Sequence, residues 1–196
     1  RVDMKPTVSA ASLNGVTVPV GSVVRVTRSG SQVQATIDGV SQGTFGYIDL
    51  KPGGNGASEG RINVQLTTSG GTAVDYREYW GTLRVQPGDD AGELWVYNFV
   101  DLEKYVRSIA EVEYDWATTG GAYSAYEAVK AQAVAARTYA MAKDGNTLAD
   151  NWADQCYRGY SFEATYPGIA RAATDTAGQI LTYGGKAITA FFSGHS

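Results

Sequence analysis

The texture of the chain changes at Asp101, and that change limits the fold more than any other feature of the sequence. Before it stand short β-branched runs bounded by Gly, Ser, Asn or Pro: Gly15–Val20 (GVTVPV), Ser22–Thr27 (SVVRVT), Gln32–Ile37 (QVQATI) and Arg61–Thr67 (RINVQLT). Each is partly alternating, which predicts strands. YREYWGTLRVQPGDDAGELWVYNFV adds two more around the turn Pro87–Gly92. Leu50–Gly60 (LKPGGNGASEG) is predicted as a long loop or a poorly ordered excursion. After Asp101 the spacing becomes helical. Leu102, Tyr105, Val106 and Ile109 predict a helix over Asp101–Tyr114 with Asp101 as N-cap. A Thr/Gly loop, Ala117–Ser124, leads to an alanine-rich helix running to about Lys143, with Ser124 and Glu127 spaced as a capping box. Residues 147–166 show no period. Gly168–Gly178 reads as a short helix, and QILTYGGKAITAFF as a hairpin with a Gly-Gly turn.

The predicted class is therefore α+β. A β-rich part, 1–100, precedes a mixed helical part, 101–196, that closes in a β-hairpin, the two forming one compact unit. The chain opens RVDMKP and stops at AFFSGHS, and reads as a fragment truncated at its C-terminus.

Composition removes several function classes. Net charge is −4 and the pI about 5.0, so nothing draws nucleic acid electrostatically. No apolar run reaches transmembrane length. Cys156 is the only cysteine, which rules out an internal disulfide and a Cys-rich metal site within the sequence; no Ser-His-Asp order is visible, and His195, the only histidine, stands at the end of the sequence. Carboxylates are left as the acid or base. Thirteen tyrosines suit either a sugar-binding cleft or the edge of a β core, the second being commoner.

Two clusters stand out. Glu111, Glu113 and Asp115 sit at spacing two in RSIAEVEYDW, among Ile109, Val112, Tyr114 and Trp116. A carboxyl desolvated there would have the raised pKa of a general acid, whereas most acids at a helix end are simply solvated. Lys130 and Arg137 lie seven apart in EAVKAQAVAARTYAMAK, within roughly 20° of each other on a helix, on a stripe with Val134 and Met141. Cations so placed more often snorkel than bind. A binding role needs an anionic partner, and the acids of 111–115 are the nearest in sequence.

EAVKAQAVAARTYA (Glu127–Ala140) resembles the signature helix of the stage II sporulation protein D family, whose domain also occurs in amidase enhancers. YREYWGTLRV, LWVYNFVDLEKYVRSI, DQCYRGY and GQILTYGGKAITAFFSGHS resemble the family's YRGY strand, its LYVVNVVPLEDYLRGV passage, its QVYxGY segment and its final hairpin. The likeness covers roughly residues 76–196. It implies a lytic transglycosylase that cleaves peptidoglycan glycan strands between N-acetylmuramic acid and N-acetylglucosamine and leaves a 1,6-anhydro end. Aligning Tyr105-Val106-Arg107 with the family's YLR puts Glu113 on its catalytic Glu, which serves as acid and then base. The family's helix cations fall on Lys130 and Arg137. Its QVY segment brings Gln155 and Tyr157 to the same groove, and its last serine run brings Ser193, all as substrate-binding residues.

Two departures bear on the site. Glu111 and Val112 replace the family's Pro or Ala and Ser or Asn, so Glu111 competes with Glu113 for the catalytic role. Ala149 and Asp154 fall where some members carry a zinc-binding cysteine pair, so neither metal nor other cofactor is expected. The expected partners are peptidoglycan glycan strands and a cell-wall amidase, and the expected place is the cell envelope or exterior. The alternative is a non-catalytic module that binds the wall or enhances an amidase.

Overall fold

The computed structural model describes residues 1–53, 60–68, 70–112, 117, 125–143, 145, 147–151 and 153–191, with backbone alone at Val74 and Asp75. These residues form thirteen strands and four helices. The chain divides into two units, Arg1–Val100 and Asp101–Ser196.

The first unit is all β. Its strands are β1 (Val2–Pro6), β2 (Ala11–Leu13), β3 (Val16–Val18), β4 (Val24–Ser29), β5 (Gln32–Ile37), β6 (Val40–Phe45), β7 (Ile48–Pro52), β8 (Arg61–Thr67), β9 (Ala73–Trp80), β10 (Thr82–Pro87) and β11 (Leu94–Phe99). They make two antiparallel sheets, ordered β6-β5-β4-β1-β8-β9 and β11-β10-β7-β2-β3. The alternation seen in the sequence sends one side chain in two to a shared core. Met4, Val24, Val26, Val33 and Ile62 come from the first sheet, and Leu13, Ile48, Leu50, Leu83 and Val85 from the second. The strands predicted at 32–37 and 61–67 occur with those bounds. The 82–99 hairpin folds around the predicted turn, and the backbone carbonyls of Gly88 and Asp90 in it and of Glu93 just after it all accept from Nη1 of Arg28.

The corner between β9 and β10 favours glycine. Gly81 joins β9 to β10 with φ of +79°, and a Cβ there would lie 2.2 Å from the carbonyl oxygen of Phe99. Backbone is on the receiving end, so no side chain can step aside. Gly81→Ala is expected to destabilise the unit by roughly 2–3 kcal/mol, read as a lower urea midpoint. An unchanged midpoint would mean that the corner accommodates a side chain after all.

The second unit holds α1 (Leu102–Val106), α2 (Tyr126–Ala142), α3 (Gly159–Thr165), α4 (Pro167–Asp175) and the hairpin β12 (Thr182–Tyr183)–β13 (Lys186–Ala187). Asp101 caps α1, its carboxylate accepting from the Glu103 N–H at 3.0 Å. The helix predicted as far as Tyr114 is corrected to a stop at Val106. Beyond it the backbone finds better partners across the fold: Ala110 N–H donates to Cys156 O and Arg158 N–H to Ser108 O, each at 2.9 Å. The N-cap of α2 is Ala125, without a side-chain bond, and Ser124 lies outside the described residues. α3 interrupts the stretch read as periodless, because a seven-residue helix is too short to display a period. Gly184 and Gly185 turn the hairpin with φ of +57° and +77°, the values a two-residue type I′ turn requires.

Candidate functional site

The polar interior of the second unit is built around α2. Its buried face, Val129, Ala133, Ala136 and Ala140, is made of small residues that let neighbours approach closely. Arg137 stands on that face with 1% of its surface exposed. Its Nε and Nη2 grip both oxygens of Glu103 at 2.9 and 2.7 Å. Nη1 donates to Ala133 O and Gln179 O, and Nη2 also to Ala173 O. All five guanidinium donors are thus used within the protein. This one side chain ties α2 to α1, to the end of α4 and to the chain entering the hairpin. Burial works against the Glu103 carboxylate, but bonds from Arg137 and from the Gly178 N–H outweigh it and hold its pKa below the usual range.

Arg137 does not share its surroundings with the rest of its stripe. Met141 is about half exposed, and Lys130 is partly exposed. Lys130 Nζ reaches both oxygens of Glu127 at 3.1 Å and lies 5.9 Å from the centre of the Tyr126 ring. Glu127 itself is largely in water, so this pair is weak and exchangeable.

The chain leaving α1 pairs with the segment before α3. Ile109 bridges Tyr157 in antiparallel fashion. One rung further on, the Glu111 side chain takes over from the backbone, its Oε1 accepting the Cys156 N–H at 2.7 Å. Burial raises the Glu111 pKa, opposed by that bond. Gln155 is fully buried: its Oε1 accepts from the Tyr105 hydroxyl at 2.9 Å and its Nε2 donates to Ala136 O. The rings of Tyr105 and Tyr157 stack at 5.0 Å. Burial, with the charges of Glu111, Asp150 and Asp154, pushes the Tyr105 hydroxyl far up, so it is a permanent donor. Beside them Asp154 accepts from Tyr139, Lys143 and the Ala149 N–H.

Of the residues expected to form the site, Arg137, Gln155 and Tyr157 lie on this enclosed network, and Lys130 lies at the more open end of α2. Glu113 and Ser193 lie outside the described residues. Two participants escaped the sequence reading. Glu103 looks like an ordinary first-turn acid of an exposed helix, with no local sign that Arg137 is its partner. The Tyr105 hydroxyl is hidden among apolar positions. Glu111 gave the one usable signal, a carboxylate amid Ile109 and Val112.

Glu111 yields a pH prediction. A raised folded pKa means that the folded state holds this proton more tightly than the unfolded state. Its contribution is then full below the unfolded value and is lost as pH rises through the folded one. Glu111→Gln keeps an oxygen for the Cys156 N–H and removes the titration. It should be at least as stable as the parent at neutral pH, with its advantage shrinking as pH falls into the ordinary carboxyl range. Urea midpoints at several pH values decide it, and an advantage that grows on acidification would reverse the assigned shift.

The second unit is an α+β domain whose buried polar frame supports the chain entering an acidic junction. Residues 90–183 match the family model described as stage II sporulation protein (SpoIID), and the chain is similar to that family over this stretch. It is similar to the amidase enhancer of Bacillus subtilis (strain 168), with 31% identity over 157 residues, covering 79% of this chain and 20% of that protein. It is also similar to an uncharacterized protein of Brachyspira hyodysenteriae (strain ATCC 49526 / WA1), with 36% identity over 139 residues, 66% of this chain and 34% of that protein. The chain thus spans about a third of these relatives' length or less. No solved structure matches.

Proposed function

We propose that the second unit cleaves peptidoglycan glycan strands as a lytic transglycosylase, in the cell envelope or outside the cell. Glu113 protonates the glycosidic oxygen between N-acetylmuramic acid and N-acetylglucosamine. It then takes the proton of the substrate's own 6-hydroxyl as that oxygen attacks the anomeric carbon. The bond to the leaving sugar breaks, a 1,6-anhydro ring forms, and no water is consumed. One carboxyl suffices because the nucleophile belongs to the substrate, unlike the paired carboxylates of hydrolytic glycosidases.

The observation that carries this reading is the ladder joining 108–111 to 155–158, which fixes the chain leading to Glu113. A general acid works only if its backbone is held to within a fraction of an ångström. Arg137, Gln155 and Tyr157, enclosed as they are, serve the groove by holding that chain in place, while Lys130 and Ser193 meet the substrate. Lys130 can leave the solvated Glu127 for a carboxylate of the ligand.

The test is the chemistry of the products. Purified sacculi and separately prepared stem-free glycan strands, digested with the protein and analysed by mass spectrometry, should release fragments with anhydro ends. Reducing ends would mean hydrolysis and would refute the transglycosylase step. A second reading has its own support in the name of the Bacillus relative, amidase enhancer. On that reading the protein pellets with sacculi, releases nothing alone, and raises the output of an added cell-wall amidase.

A further inference from the structure

In the first unit, the sheet face turned away from the core carries aromatic residues that packing does not require. On β7, β10 and β11 the inward positions are Ile48, Leu50, Leu83, Val85, Leu94 and Val96, and these complete the core. The alternate positions point outward. Arg84 sits in the middle of them, paired across the strands with Asp49 on one side and Tyr97 on the other. Its Nε and Nη2 meet the two Asp49 oxygens at 2.7 and 2.8 Å. Its guanidinium carbon lies 4.0 Å from the centre of the Tyr47 ring and 5.2 Å from that of Phe99. Along the edge strand β11, Trp95 and Tyr97 meet edge to face at 6.3 Å. Tyr47 is 48% and Phe99 53% exposed, large values for rings so firmly placed.

We propose that this face is a binding platform for a glycan chain, acting through stacking. Sugars present two kinds of surface, apolar C–H faces and hydroxyl edges, and the platform offers a match for each. The open sides of Tyr47 and Phe99 take the C–H faces. Between them lies a planar polar group already locked in position. Arg84 Nη1 has no partner among the described residues, and the Asp49 carboxylate has lone pairs beyond the two it uses. Such a fork suits adjacent hydroxyls and loses little entropy on binding. From Trp95 to Phe99 the strand covers roughly 13 Å, the span of a short oligosaccharide.

Charge selects among partners. Stacked aromatics would also receive nucleobases, but Arg84 is paired with Asp49 and the chain carries −4, so its overall charge does not favour a polyphosphate chain. A polymer held by its C–H faces and hydroxyl edges rather than by its charge fits better. That this polymer is the peptidoglycan strand rests on the proposed function; the platform itself rests on the face.

The experiment uses the whole chain with Glu113→Gln, so that cutting does not obscure binding. Its affinity for sacculi and for soluble N-acetylglucosamine oligomers is compared with that of the same chain carrying Tyr47→Ala and Phe99→Ala. The added pair should weaken both affinities roughly tenfold or more, with thermal melting nearly unchanged because both rings are half in water. The oligomers should also shift tryptophan emission, and Trp95→Phe should abolish most of the shift. Unchanged affinity in the double variant, or no binding of any glycan by its parent, overturns the platform. The catalytic reading fails separately: an otherwise unaltered chain that binds through these rings and releases no anhydro products sinks the enzyme and keeps the platform.

Discussion

Glu113→Gln should lower the release of anhydro-muropeptides from sacculi by roughly 10²–10⁴-fold, with no loss of folded protein. Glutamine keeps the size and polarity of the side chain and removes the proton that the glycosidic oxygen must receive. Without that proton the leaving sugar departs as an alkoxide. Glu111 supplies the control. Its carboxylate is committed to the Cys156 N–H, and Gln can make the same bond, so Glu111→Gln should keep activity within a few-fold of the parent. The comparison is read by quantifying soluble products over time from equal amounts of folded protein. If Glu111→Gln is the inactive variant and Glu113→Gln the active one, the acid has been misassigned by two residues. If both are active, acid catalysis by this junction is wrong.

The second large effect is on stability. Arg137→Ala should cost roughly 3–5 kcal/mol, because it strands Glu103, part of whose desolvation the ion pair offsets, and removes the guanidinium bonds to three backbone carbonyls. Arg137→Lys should recover little of this, since an ammonium cannot span two carboxylate oxygens and three carbonyls at once. Glu103→Ala should also destabilise strongly, at the lower end of the range because Glu103 faces water on one side. The double Ala variant should lose much less than the two single losses added together. Chemical denaturation of all four proteins measures the coupling. Additive losses would mean that the pair contributes nothing as a pair. Acid adds a further sign: the Glu103 pKa is lowered in the fold, so its contribution is full above the unfolded value and drains away as pH falls through the folded one.

These predictions separate what periodicity could reveal from what it could not. The strands at 32–37 and 61–67 and the 82–99 hairpin were readable because one face of each enters a core and the turns between them use residues with few alternatives. The alanine helix was readable for the same reason, but the partner of Lys130 was not read: sequence reasoning looked to the acids of 111–115, and the structure gives Glu127, three residues away on the same helix. The premature end of α1 was not readable. Ser108 to Glu111 carry residues that suit a helix, and they leave it only because 155–158 offers backbone partners from 45 or more positions away. The fate of the two cations was equally hidden. Spacing put Lys130 and Arg137 on one stripe. Only packing decided that one would remain partly in water and the other be sealed against Glu103, 34 residues distant.

By itself, then, the sequence determined the α+β class, the change of structure at Asp101 and the acidic junction that family resemblance made the candidate site, because these depend on local pattern and residue chemistry. The tertiary structure decided which polar groups are enclosed, which carboxylate is partnered, and that aromatic rings of the second β sheet face outward around an Arg–Asp pair. Those outcomes depend on which distant segments meet, and burial and partnership are properties of the meeting rather than of either segment.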